Sequence, residues 1–166
     1  MNKKLNFIAI ALIAPLACMA QKNNIVGYWL TGEGRSQIEI YQKPNGTFTG
    51  KIVWLEEPHN EDGSPVRDKE NPKKNKRNRE IIGLHILKNF KYDKNDNRWE
   101  GGTIYDPESG KTYKCRMWFD DNTDLLKVKG YIGVSFVGRT TEWEREYSVR
   151  KISKSIKQQN HQKRGN

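Results

Sequence analysis

The stretch Trp99-Glu-Gly-Gly-Thr-Ile-Tyr105-Asp-Pro-Glu-Ser-Gly110-Lys-Thr-Tyr-Lys-Cys115-Arg-Met-Trp-Phe119 holds two alternating runs around a Pro-Glu-Ser-Gly break. The chain turns at Asp120 to Asp124, returns as Leu-Leu-Lys-Val-Lys-Gly-Tyr-Ile-Gly, and closes with Gly138 to Tyr147. Alternation of apolar and polar residues puts every second side chain on one face of a strand, and Asp, Asn, Pro, Ser and Gly supply the turn dihedrals between strands. The segment therefore reads as successive antiparallel hairpins.

Outward from this segment the same pattern recurs. Strands are expected near 26–31, 36–43, 47–55, 84–92, 98–106, 111–120, 124–132 and 139–148. Pro44-Asn45-Gly46 suits a hairpin turn, because Asn-Gly tolerates positive φ. No run with a helical period competes. Eight antiparallel strands joined mostly by short turns predict an all-β fold, a closed up-and-down barrel; a two-sheet sandwich would need longer crossovers.

The segment from Glu56 to Arg79 breaks the rhythm with Pro58, Pro65, Pro72 and many charges. A loop this long in a compact domain is usually functional or disordered. Its Asp68, Asn71, Arg77 and Arg79 are candidates for a polar lid over a barrel mouth, since Arg gives paired contacts to a carboxylate or phosphate. The plainer reading is that Asp68 and Asn71 cap turns before Pro72.

Both chain ends stand apart from this body. Residues 1–20 have a basic start (Lys3, Lys4), an apolar run and Cys18-Met19-Ala20, the form of a signal peptide cleaved after Ala20. Lipidation of Cys18 is the rival, but Pro15 occupies the place where a lipobox wants Leu. Export to the periplasm or beyond follows as the expectation. Residues 151–166 form a basic tail, expected to be disordered and able to touch an anionic membrane surface. Without Lys3, Lys4 and the five tail cations, the formal charge of +10 falls to +3 for residues 21–150. The basic character thus sits largely outside the barrel domain, and nucleic acid is not an expected partner.

The lone cysteine of the mature chain, Cys115, alternates with Tyr113, Met117 and Phe119 and reads as a buried structural thiol. His59, His85 and His161 match no metal spacing, no nucleotide or nucleophile motif occurs, and no cofactor is expected. A hydrolase assembled from distant carboxylates, such as Asp68 with Asp106, would leave no trace in sequence.

Two features resemble known barrels. An early Gly27-x-Trp29 and a late Trp143-x-Arg145 are similar to the lipocalin and wider calycin pattern. That resemblance implies an indole plugging one barrel end with an Arg across it, Arg139 being a second candidate for the Arg. More of the chain resembles the DUF2147 family of exported bacterial proteins. Its motifs run from Gly27-x-Trp29 through Gly50-Lys51-Ile52-Val53-Trp54-Leu55, Asp68-x-x-Asn71-Pro72 and Ile82-Gly83-Leu84. They continue with Trp99-x-Gly101-Gly102-x-Ile104-Tyr105-Asp106-Pro107, Ser109-Gly110-Lys111-x-Tyr113, Gly130-Tyr131-Ile132-Gly133 and Gly138-Arg139-Thr140. The resemblance implies a small lipocalin-like barrel and no particular activity; the Lys-rich filling after Pro72 and the basic tail depart from it.

Strand alternation puts Trp99, Gly101, Thr103 and Tyr105 on one face, Phe48, Ile52 and Trp54 on another, and Tyr113 beside Cys115 on a third. Such rings either fill an eight-stranded barrel or line a pocket in it, because both use the same residue types. The expectation is an exported, non-enzymatic barrel binding a small apolar or amphipathic ligand through Trp54, Trp99, Tyr105, Tyr113 and the loop residues. The alternative is a cell-envelope interaction or structural protein that meets an anionic partner through the loop and tail.

Overall fold

The computed structural model of the protein describes residues 24–133 and 138–151. The expected signal peptide and the tail beyond Lys151 lie outside these residues. Eight strands run β1 (Gly27–Leu30), β2 (Ser36–Gln42), β3 (Phe48–Leu55), β4 (His85–Asp93), β5 (Arg98–Asp106), β6 (Lys111–Phe119), β7 (Leu125–Tyr131) and β8 (Gly138–Glu146). Each pairs antiparallel with the next, and β8 pairs with β1, so the sheet closes into an up-and-down barrel. Closure leaves no strand edge without a partner. The architecture expected from the alternation is the one observed.

Up-and-down order puts three connections at one end of the barrel and four at the other. The end holding the β2–β3, β4–β5 and β6–β7 turns is packed. Trp29, Phe48, Phe90, Trp99, Met117 and Leu126 are fully buried there, and Phe119 joins the rings of Trp29 and Trp99 at 5.8 and 5.5 Å between centroids. The opposite end carries the β1–β2 turn, the long β3–β4 connection, the β5–β6 turn and the β7–β8 connection.

Bulges reset which side chains face inward, and two of them, in β3 and β5, bear on the site. In β3, Ile52 pairs with Ile38 but Trp54 pairs with Gln37, leaving Val53 as an extra residue. In β5, Trp99 pairs with Met117 but Gly102 pairs with Cys115, so β5 spends three residues where β6 spends two. Gly101 sits at this second bulge with φ +72, a conformation glycine adopts without strain. Because side chains alternate strictly along a strand, each extra residue exchanges the two faces beyond it.

Candidate functional site

The closed end is fastened by the first and last strands. Trp29 pairs across from Arg145, whose guanidinium lies 4.2 Å from the Trp29 ring centroid. Arg145 Nη2 donates to the Asn24 and Thr123 carbonyls at 2.5 and 3.1 Å, and its Nε meets Asp124 at 3.2 Å. Trp29 Nε1 donates to the Ile25 carbonyl at 2.9 Å. A Cβ on Gly27, itself at φ +139, would lie 3.3 Å from Arg145 Nη1, so this position suits glycine twice over.

Above this plug the barrel is hollow. A cavity of about 1150 Å³ opens at the other end. Below the mouth its wall is formed by uncharged strand residues, among them Ile52, Ile86, Ile104, Tyr113, Val128 and Trp143. The missing side chain of Gly130 and the small Val128 and Thr141 leave the space that the aromatic rings fill lower down. Trp143 Nε1 donates to Thr141 Oγ1 at 3.1 Å, so the indole is satisfied within the wall.

Charge appears only at the rim. Glu33, Glu56, Glu57, Glu70, Asp106 and Glu108 border the mouth with Arg35, Arg67, Lys69 and Arg139, six acids against four bases. The guanidinium groups are already engaged. Arg35 pairs with Glu33 and, at 3.1 Å, with Glu108; Arg139 meets Glu33 at 3.1 Å; Arg67 donates to the Asn78 carbonyl. The Arg35 guanidinium, foremost by its hydrogen bond, holds the Glu33 carboxyl below its usual range.

The β3–β4 connection crosses this mouth as a lid. It folds on itself through a bridge between Arg67 and Glu80 and through backbone bonds from Asp68 to Arg79 and from Ile81 to Val66. Val66 and Ile81 face the cavity from above. Asp68 is wholly buried and its carboxylate accepts three side-chain donors: Tyr105 Oη at 2.5 Å, Arg79 Nη2 at 2.6 Å and Asn71 Nδ2 at 2.8 Å. Burial and the neighbouring Asp68 carboxylate push the Tyr105 phenol up to about 12. Arg77 Nε donates to the Asn71 carbonyl at 2.8 Å, which fixes the turn that bears Lys74–Lys76.

The residues singled out by sequence therefore part into four groups. Tyr105 and Tyr113 border the cavity, as do Arg139 and Trp143, which were assigned to barrel closure by resemblance. Gly27, Trp29 and Arg145 lie together at the closed end. Trp143 stands two residues from Arg145, about 6–7 Å along the strand, so it points into the hollow half above the plug. Arg139 lies at the mouth, further still from Trp29.

Asp68, Asn71, Arg77 and Arg79 come together, but in the lid's own framework and outside the cavity wall: Arg79 is held by Asp68, and Arg77 Nε by the Asn71 carbonyl. Trp99 is packed against Phe48, Tyr92 and Phe119 in the closed half. Trp54 is turned out of the barrel by the β3 bulge. It donates to the Lys151 carbonyl at 3.2 Å and carries Arg150 over its ring at 5.2 Å. The wall residues Ile52, Ile86, Val128 and Thr141 were not separable from ordinary core positions by type or spacing. Among the described residues no group of three His, Cys, Asp or Glu side chains is placed to hold a metal ion.

Comparison with known proteins agrees with this geometry. Among solved structures, protein HP1028 from the human pathogen Helicobacter pylori, described as belonging to the lipocalin family, is similar with a TM-score of 0.61 and 26% sequence identity. The similarity covers 84% of this chain and 88% of that one. No curated protein matches the chain. The family model described as "Uncharacterized protein conserved in bacteria (DUF2147)" matches residues 27–145, from the first residue of β1 to the Arg that stacks on Trp29. The chain belongs to the DUF2147 family, and it carries that family's sequence on a lipocalin-like eight-stranded barrel.

Proposed function

We propose that the protein is an exported carrier that binds one small apolar or amphipathic molecule in the open half of its barrel. The observation that carries this reading is the cavity of about 1150 Å³ with an uncharged strand wall above a packed floor. An empty apolar space of this size forgoes dispersion contacts, and an apolar ligand recovers them. The Tyr113 and Thr141 hydroxyls give a bound molecule its polar handles inside the cup. At the rim, acids outnumber bases and the Arg groups are paired, so the head group that fits is uncharged or cationic. A free carboxylate or phosphate there would have to displace Glu33 from Arg35 or Arg139. Export follows from the signal-peptide form of residues 1–20.

The test is titration with N-phenyl-1-naphthylamine, an uncharged apolar fluorophore. Saturable enhancement at one site per chain supports the reading. Absence of binding at micromolar protein removes it.

A second reading uses the lid's outer side. Lys73, Lys74 and Arg77 are exposed on the 3₁₀ turn, none paired with an acid, whereas Arg79 is held by Asp68. Such a knuckle suits an anionic lipid surface. Salt-sensitive pelleting with phosphatidylglycerol vesicles, lost on replacing Lys73, Lys74 and Lys76 by Ala, is its test.

A further inference from the structure

Three side chains meet at the buried Asp68, and they do not have equal standing. Asn71 and Arg79 belong to the lid, as Asp68 does, so their bonds to the carboxylate hold the lid's shape. Tyr105 alone of this group belongs to the barrel wall. The β5 bulge at Gly101 places Ile104 on the cavity face and turns the Tyr105 hydroxyl toward Asp68, while the Tyr105 ring still borders the mouth. The Tyr105 hydroxyl thus ties the ribbon to the wall of the cup through Asp68 and Asn71, beside the apolar packing of Val66 and Ile81 on the core.

The rest of the lid suits a part that swings. Its internal bonds tie Val66 and Asp68 to Arg79 and Ile81, so the ribbon holds together without the barrel. Its feet are pinned: Glu56 N donates to the Arg35 carbonyl, Gly83 N to the Ile52 carbonyl, and Ile52 N to the Leu84 carbonyl. Gly63, at φ +81, turns the chain between the Glu56 foot and the ribbon, and Gly83, at φ +87, forms the second foot where the ribbon ends. Beside the latch, the β5–β6 turn supports the lid: a Cβ on Gly110 would come within 1.9 Å of the Glu70 carbonyl oxygen, so the two backbones touch.

We propose that the ribbon of residues 65–82 gates the cup and that Tyr105, through its hydroxyl on Asp68, is the latch residue setting how fast a ligand enters and leaves. This rests on the reading that the cup takes a ligand. A ligand head that presses on the Tyr105 ring and the Asp68 bond to its hydroxyl act on the same side chain, so occupancy and closure are coupled there.

The experiment uses Tyr105→Phe, which keeps the ring in the wall and removes only the latch oxygen. Release of N-phenyl-1-naphthylamine is followed by stopped flow in both proteins. Spin labels on Lys74→Cys in the lid and Lys114→Cys on the outer wall of β6, both exposed, report the lid's position without any ligand. The buried Cys115 stays unlabelled. A charge-assisted hydrogen bond is lost, so release should accelerate about tenfold or more. The distance distribution should broaden toward longer separations. Identical distributions overturn the latch. A broadened distribution with unchanged release overturns the gating role. No dye binding to the unaltered protein overturns the ligand reading itself, and the labels then still decide whether Tyr105 holds the lid.

Discussion

Arg145 lies over Trp29, its guanidinium carbon 4.2 Å from the ring centroid, and from that position its Nη2 reaches the backbone carbonyls of Asn24 and Thr123. One guanidinium thereby ties the start of β1, the β6–β7 turn and the last strand together at the closed end. The cation–π contact, the charged hydrogen bonds and the ion pair to Asp124 sum to a cost of about 2–4 kcal/mol on Arg145→Ala. Urea unfolding should show that loss. Arg145→Lys should recover less than half of it, because an ammonium cannot stack and donate to separated carbonyls at once. Equal stability of the Lys variant would show that charge alone closes this end.

Gly130 tests the hollow half. Its Cβ position meets Ile104 Cγ2 at 3.4 Å, an ordinary contact, and its φ is not in the left-handed region. Gly130→Phe should fold, pack its ring between Ile104 and Tyr113, and remove apolar-dye binding by at least tenfold. Unfolding temperature and dye titration together separate cavity filling from damage to the barrel.

Much of this structure was legible from the alternation itself. Strand residues with period two and turns rich in Gly, Asn and Asp carry information over short distances, and those distances suffice for a meander. Trp29 and Arg145 were legible by resemblance. The faces of Trp54 and Tyr105 were not, since one extra residue in β3 and one in β5 invert the alternation beyond them. The paired Gly101-Gly102 was a signal for the second bulge. The joint role of Asp68 and Tyr105 joins residues 37 apart through the closed barrel, and no local pattern announces such a pairing.

Alkaline pH should loosen the lid before the barrel melts. The Tyr105 phenol is raised from 10 to about 12, so the neutral form is the one the fold favours. Its contribution is whole below pH 10 and is lost as pH rises from 10 to 12. Phenolate absorbance near 295 nm should show one tyrosine ionising near pH 12, and Tyr105→Phe should abolish that step.

Cys115 should behave as an inert thiol. Burial alone raises it from 9 to about 12, and the side chain is fully enclosed. At pH 8 Ellman's reagent should leave Cys115 of the folded protein unmodified over an hour and titrate it in denaturant, in a chain of residues 21–166 where it is the one thiol. Fast labelling of the native protein would place Cys115 at an open surface.

Head-group choice should follow the rim. Displacement of the fluorophore by dodecylamine should be stronger than by laurate, about threefold to tenfold for one or two screened charge contacts at a solvated mouth. Raising the salt should shrink the difference. Preference for laurate would show that Arg35 or Arg139 leaves Glu33 to meet a ligand.

The central claim is that the barrel is a cup with an occupant. Native mass spectrometry of the protein recovered from a bacterium that carries it, with organic extraction of the same sample, tests this most directly. One small molecule per chain, absent from Gly130→Phe prepared the same way, is the predicted result. An unliganded mass for the unaltered protein, with nothing extracted and no apolar dye bound afterwards, would contradict it.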